Sequence, residues 1–190
     1  MPTLRQLAPA LRILIVMTVL LGLLYPALVF ALGRLMPART DGALLSVDGT
    51  VVGSSLLAQG FDTPEYFWPR PSVGGYDPLA TGGSNLGPNN ADLTQVIEER
   101  RAAVATANGV TADLVPADAV TASASGLDPQ ISPEYAALQV ARVAQARGLA
   151  PDVVSALVSE HTQGRVLGFL GEPGVNVLEV NAALDALGRT

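Results

Sequence analysis

Hydrophobic positions follow two different patterns along this chain. From Ile13 to Leu32 the sequence ILIVMTVLLGLLYPALVFAL carries no charge and no polar stripe at any helical phase. A helix of that length reaches roughly 30 Å, the thickness of a bilayer core. The pattern predicts a transmembrane helix over residues 13–34 behind a short tail, residues 1–12. A buried core helix would need apolar surface around all its faces, which favours the membrane. A cleaved signal peptide is the alternative, with Ala31-Leu32-Gly33 as its cleavage site, but the apolar run exceeds the usual ~7–15 residues and Arg34 and Arg39 follow it as a basic flank.

Beyond Arg39 the pattern becomes periodic. LLSVDGTVVGSSLL places two β-rich runs around Asp48-Gly49, the pair a type I′ turn prefers, and predicts a hairpin. ADLTQVIEERRAAVATANG predicts a helix capped by Asn89 or Asn90, with Leu93, Val96, Ile97 and Val104 on one face and Gly109 at its end. After Pro116, ADAVTASAS reads as a strand. Ser132-Pro133-Glu134 opens a helix that should run to Arg147 before Gly148. Another is expected from Pro151 to about His161. Asn176 should cap a last one, with Val177, Val180, Leu184 and Leu187 on its inner face. Residues 41–190 are thus expected to form a soluble mixed α+β domain behind a single N-terminal membrane helix.

Within the span, Pro26 removes a backbone donor and kinks the helix. Thr18 and Gly22, spaced i to i+4, offer a small-residue face beside Tyr25 and Pro26. Packing against other transmembrane helices is one reading, and the kink of a lone anchor is the other.

Charge sharpens the division. Residues 1–40 hold four Arg and no acid, whereas the rest hold seven Arg against 17 acids, a net −10. An acidic body argues against nucleic acid as a partner. The positive-inside count is two Arg on each side of the span, and the N-terminal amine tips it toward a cytoplasmic N-terminus and an extracytoplasmic body. With no Cys, one His (His161) and no Lys, thiol chemistry, thiolate or clustered-His metal sites, Schiff bases and the P-loop lysine are all excluded.

The segment that invites a function is YFWPRPSVGGYDPLATGGSNLGPNN, residues 66–90. A run of about 25 residues without regular structure is uncommon in a compact domain unless it works as a surface or is disordered. Its aromatics argue for order. The docking candidates are Tyr66, Phe67 and Trp68 as apolar anchors, Arg70 as a fork of donors, and Ser72, Gly82, Gly83, Ser84, Asn85 and Gly87 as a shaped backbone. The alternative is an Ω-like loop packed by its own rings. TGGSNLGP has the look of a phosphate cradle but lacks the Lys and the strand–loop–helix spacing of one. An enzyme would have to use His161 with Glu160, or Asp62, Glu65 and Asp77, for acid–base chemistry; adjacent helical residues diverge and make a poor dyad.

Taken together, Tyr66-Phe67, Arg70-Pro71-Ser72, Gly82-Gly83-Ser84-Asn85-Leu86-Gly87-Pro88, Ser125-Gly126-Leu127-Asp128-Pro129, Ile131-Ser132-Pro133 and Gly168-Phe169-Leu170-Gly171-Glu172-Pro173 occur in that order behind a span containing Leu24-Tyr25-Pro26. Over nearly its whole length the chain resembles the C subunits of the Kdp potassium-transporting P-type ATPases. It departs from them at Trp68-Pro69, where they often carry His-Gly, and at Gln130, where they often carry His. The resemblance implies a non-catalytic accessory subunit of the bacterial cytoplasmic membrane with its body outside. Implied partners are a P-type ATPase subunit, a channel-like potassium-conducting subunit and a small hydrophobic subunit. It also implies a catalytic chaperone that raises the ATP affinity of the hydrolysing subunit. A body outside the membrane cannot touch cytoplasmic ATP, so direct nucleotide binding and this topology cannot both describe one working state; coupling through the complex would reconcile them, with ATP and potassium handled by the complex and no cofactor assigned to this chain. The competing reading is a membrane-anchored structural or binding domain without pump partners.

Overall fold

The computed structural model describes residues 2–187, with side chains from Arg5 onward. It divides into two compact units, one ending at Ala43 and one beginning at Leu44.

The first unit is helical: α1 (Pro2–Val19), a π-helical turn (Leu20–Leu24), α2 (Tyr25–Gly33) and the short α3 (Pro37–Thr40). Within the helix Arg5–Gly33 an 18-residue stretch has a mean hydropathy of 2.6, and the helix is long and apolar enough to cross a membrane. The helix also runs through the residues ahead of Ile13, including Pro9. The π-turn has a local cause. Pro26 has no N–H for the carbonyl four residues back and its ring crowds that carbonyl, so the ladder widens and the Tyr25 N–H reaches the Leu20 carbonyl five residues back.

The second unit opens with β1 (Leu44–Val47) and β2 (Thr50–Ser54), an antiparallel hairpin with an irregularity in register between Leu45 and Ser46. Asp48 (φ 52°) and Gly49 (φ 78°) both take positive φ, as a type I′ turn demands. A segment without helix or strand then runs from Ser55 to Asn90.

The helices start and stop where side-chain chemistry sets them. In α4 (Ala91–Asn108) the Asn90 side chain accepts from the N–H groups of Asp92 and Leu93, and Gly109 closes the helix at φ 64°. In α6 (Pro133–Arg147) Ser132 caps Tyr135, Pro133 occupies the first turn, and Gly148 ends it at φ 66°. α7 spans Pro151–Glu160. In α8 (Val177–Leu187) Asn176 Oδ1 accepts from the Glu179 N–H. Val177, Val180 and Leu184 of its expected inner face are buried, and Leu187 is half-exposed.

The stretch after Pro116 is not a strand. It forms a single helical turn, α5 (Ala117–Val120), followed by bends. Its backbone is bonded within that turn and to the irregular segment: the Ser123 N–H donates to the Pro71 carbonyl (2.9 Å) and the Ser125 carbonyl accepts from the Gly82 N–H (2.9 Å). Asp118 accepts from the Ser132 N–H (2.7 Å) and hydroxyl (2.9 Å), and Ser123 Oγ accepts from the N–H of Gly126 (3.1 Å).

A small antiparallel sheet unites the domain: β3 (Gln130–Ile131) and β4 (Thr162–Gln163) flank the central β5 (Gly174–Asn176). β5 is wholly buried, and Val175 packs in one core with Val143, Val154, Val180 and Leu184 from α6, α7 and α8.

Candidate functional site

The irregular segment is fastened to the helices by four polar side chains. Asn181 on α8 accepts from the Phe67 N–H (2.8 Å) and returns its own Nδ2 to the Phe67 carbonyl (3.0 Å). Gln139 on α6 treats Trp68 the same way, at 2.7 and 3.3 Å. Each amide thus gives one residue a donor and an acceptor, as a neighbouring strand would.

Arg142, one turn along α6, supplies the rest. Its Nε donates to Asn108 Oδ1 (3.0 Å), one terminal nitrogen donates to the carbonyls of Pro64 (2.6 Å) and Tyr66 (3.0 Å), and the other donates to Gln139 Oε1 (2.7 Å). The guanidinium lies 4.1 Å from the centre of the Trp68 ring. Burial pulls its pKa down to about 10, which still leaves the fork fully protonated at neutral pH. Arg147 closes the row. It donates to the Glu65 carbonyl, pairs with Asp185 at 2.8 Å and stacks 4.7 Å over Tyr66, whose hydroxyl also donates to Asp185. Burial first, and then the bond to Asp185, raise the Tyr66 phenol.

Further along, Arg70 pairs with Asp128 at 2.8 Å while its Nε is buried without a partner. Ser72 Oγ accepts from the Tyr76 N–H, and the Tyr76 hydroxyl donates to the Arg70 carbonyl. Gly82 donates to the Ser125 carbonyl (2.9 Å), and Gly83 lies against Ala124. Ser84 Oγ accepts from Leu86, Asn85 takes φ 54°, and the Gly87 carbonyl accepts from the Asn90 N–H.

The docking candidates therefore divide. Phe67 is fully buried and belongs to the core, and Tyr66 and Arg70 use their polar groups inside the domain. Trp68 remains at the surface. With Phe61, Pro69, Pro71, Tyr76 and Tyr135 it lines an open aromatic groove of about 280 Å³. Ser72, Gly83, Ser84 and Asn85 line a second cleft of about 610 Å³, closed on its other side by Leu93, Val96 and Ile97 of α4. Arg100 lines both clefts and donates a hydrogen bond to the Val120 carbonyl.

The acid–base candidates are spread out. Asp62 is exposed at the aromatic groove, Asp77 accepts from the Leu79 N–H, Glu160 is exposed, and His161 caps α7 through its backbone N–H to Leu157. Among the described residues no group of three or more His, Asp or Glu could hold a metal ion. Thr18, Gly22, Tyr25 and Pro26 are all exposed along the apolar helix, with open space around Gly22.

Sequence reasoning missed Gln139, Arg142, Arg147 and Asn181. Tyr135, Gln139 and Arg142 recur at i, i+4 and i+7 on the face of α6 that also buries Ala136 and Val143. A polar pair inside an apolar stripe was the available signal.

The family profile for the K+-transporting ATPase, c chain, matches residues 7–186. A "Potassium-transporting ATPase KdpC subunit" from Kineococcus radiotolerans is 60% identical over 95% of this chain and 93% of its own length. Proteins of the same name from Gemmatimonas aurantiaca (50% identical, 98% and 95% covered) and Mycobacterium bovis (51%, 96% and 99%) align just as completely.

Proposed function

This chain belongs to the KdpC family of potassium-transporting ATPase subunits, and on that premise we propose that it is a non-catalytic accessory subunit that docks onto its pump through the aromatic groove and adjoining cleft. Its partners in this reading are the P-type ATPase subunit, the channel-like potassium-conducting subunit and the small hydrophobic subunit. Its place is the bacterial cytoplasmic membrane, with the N-terminus inside and the body outside. It stabilises the assembly and raises the ATP affinity of the hydrolysing subunit by binding one conformation of the complex more tightly, so that ATP and potassium are handled by the complex and not by this chain.

The observation that carries the docking reading is the fixed geometry of residues 64–72. Two amides and two guanidinium groups hold the segment while Trp68, Pro69, Pro71 and Tyr76 line an open groove. A surface already rigid before contact loses little entropy on binding. The test is a Trp68→Ala, Arg70→Ala double variant of the tagged chain, copurified from potassium-starved membranes with potassium-stimulated ATPase activity assayed in the eluate. Recovery of the other subunits should fall by roughly ten-fold or more, as for loss of an aromatic hot spot. Full recovery of an active complex would refute docking at this surface. A thermal melt of the variant separates loss of docking from loss of fold.

A further inference from the structure

We propose that the finger between β4 and β5 inserts its tip, Val166–Leu170, into the lipid bilayer to which the same chain is anchored. The proposal rests on α1 and α2 spanning the membrane and is independent of the docking surface.

The tip places four large apolar side chains at the surface within five residues. Val166, Leu167, Phe169 and Leu170 are 67, 79, 68 and 49% exposed. A single bridge pairs Val166 with Leu170, and the chain reverses through Leu167 (φ 56°) and Gly168 (φ 82°). Positive φ is unfavourable for a bulky side chain, so Leu167 holds its outward position at a backbone cost.

Two properties fit lipid better than a protein surface. First, four of the tip's five N–H groups are bonded within the finger. The N–H groups of Val166 and Leu170 each donate to the other residue's carbonyl (2.9 Å), Gly168 donates to Arg165 (3.1 Å) and Phe169 to Val166 (3.3 Å). Such a loop can enter hydrocarbon without leaving these donors unpaired. A protein interface usually asks for about one hydrogen bond per 100–200 Å², and residues 166–171 carry no side-chain donor or acceptor to make one. Second, the charges at its base, Arg165 and Glu172, neutralise each other in an ion pair. The body carries net −10, so anionic lipid offers no attraction and adhesion must come from apolar insertion. Only ten residues, 34–43, separate α2 from the second unit, a reach of at most about 35 Å. Insertion is therefore an intramolecular second contact at high effective concentration.

The chain has no cysteine, so one introduced Cys gives one labelled position. The full chain is placed in phosphatidylcholine nanodiscs with a nitroxide at Leu167→Cys or Phe169→Cys, and at Leu79→Cys, which is 94% exposed in another loop, as the aqueous control. Collision with a nickel chelate should be reduced roughly five-fold at the finger relative to position 79, with oxygen accessibility raised, as for a segment buried in the acyl region. Adding anionic lipid should not strengthen the protection. Adding Val166→Asp and Leu170→Asp should abolish it; both side chains are outside the core, so the fold should persist. Nickel accessibility equal to that at position 79 would overturn the proposal, as would protection that appears only when the other pump subunits are present. A chain that fails to enter nanodiscs overturns the spanning reading of α1 and α2, and this proposal with it.

Discussion

Arg142→Ala tests whether the irregular segment and the helices form one unit. The guanidinium donates to the carbonyls of Pro64 and Tyr66 and to Asn108 Oδ1, whereas Gln139 Oε1 would keep the Trp68 N–H. Truncation removes the guanidinium from three acceptors, at about 1 kcal/mol each when water can reach the vacated space. Loss of the contact with the Trp68 face adds about 1 kcal/mol. The expected destabilisation is about 4 kcal/mol, or a fall in Tm of roughly 8–16 °C for a domain of this size. Arg142→Lys should lie between, since an ammonium cannot present a planar fork to acceptors on two sides. The assay is thermal unfolding of the full chain in detergent, followed by helical circular dichroism and by the emission of Trp68, the chain's single tryptophan. Both signals should shift together. A Tm within about 3 °C of the parent would refute the claim that Arg142 carries this energy. A red-shifted Trp68 with an unchanged helical transition would instead show that residues 64–68 detach on their own.

Three further changes probe other links. Burial raises the phenols of Tyr66, Tyr76 and Tyr135, so the unfolded chain ionises first, and stability present below pH ~10 is lost as pH rises beyond it. Arg142, with its lowered pKa, acts in the opposite sense above about 10, so the tyrosines set the loss; Tyr135→Phe should melt within about 1 kcal/mol of the parent at pH 8 and lose visibly less Tm at pH 11. Asn176→Ala removes the cap of α8 and the 2.7 Å bond from its Nδ2 to the Ser55 carbonyl, and should cost about 2–3 kcal/mol in urea unfolding. Gly126→Ala forces a Cβ onto a residue at φ 73°, 3.1 Å from Ser72 Oγ and 3.2 Å from the Gly82 carbonyl. It should cost about 2 kcal/mol and speed hydrogen exchange at the Gly82 amide, which is bonded to the neighbouring Ser125.

Local chemistry was readable from the chain because its signals lie within a few residues of their effect. Asp48-Gly49, Asn90, Gly109, Ser132-Pro133, Gly148 and Asn176 each act where they were expected to act. The sheet was not readable, since strands of two or three residues carry no periodicity, and β5 reads as part of a loop after Pro173. The strand expected after Pro116 failed because β-like composition needs a partner strand, and this stretch meets only single bonds from the irregular segment, Ser123 to Pro71 and Gly82 to Ser125. The site was half readable. Its residue set was visible as turn chemistry, but which aromatics point inward depends on Asn181 and Gln139, 114 and 71 residues away in sequence.

That long-range fastening makes fold and docking interdependent. The Trp68 ring meets the Arg142 guanidinium and also lines the open groove, so a partner seated there would press on the side chain that holds the segment in place. By linkage, whatever binds the fastened state stabilises it, and whatever loosens that state weakens binding by the same free energy. Arg142 is 8% exposed and can offer a partner almost no surface, yet if Arg142→Ala leaves the segment detached in nine molecules of ten, apparent affinity for the pump falls about ten-fold. Copurification of Arg142→Ala, compared at a temperature below its own melt, would measure that share. A variant with a loosened segment that copurifies as well as the parent would mean the groove is not the surface the pump uses.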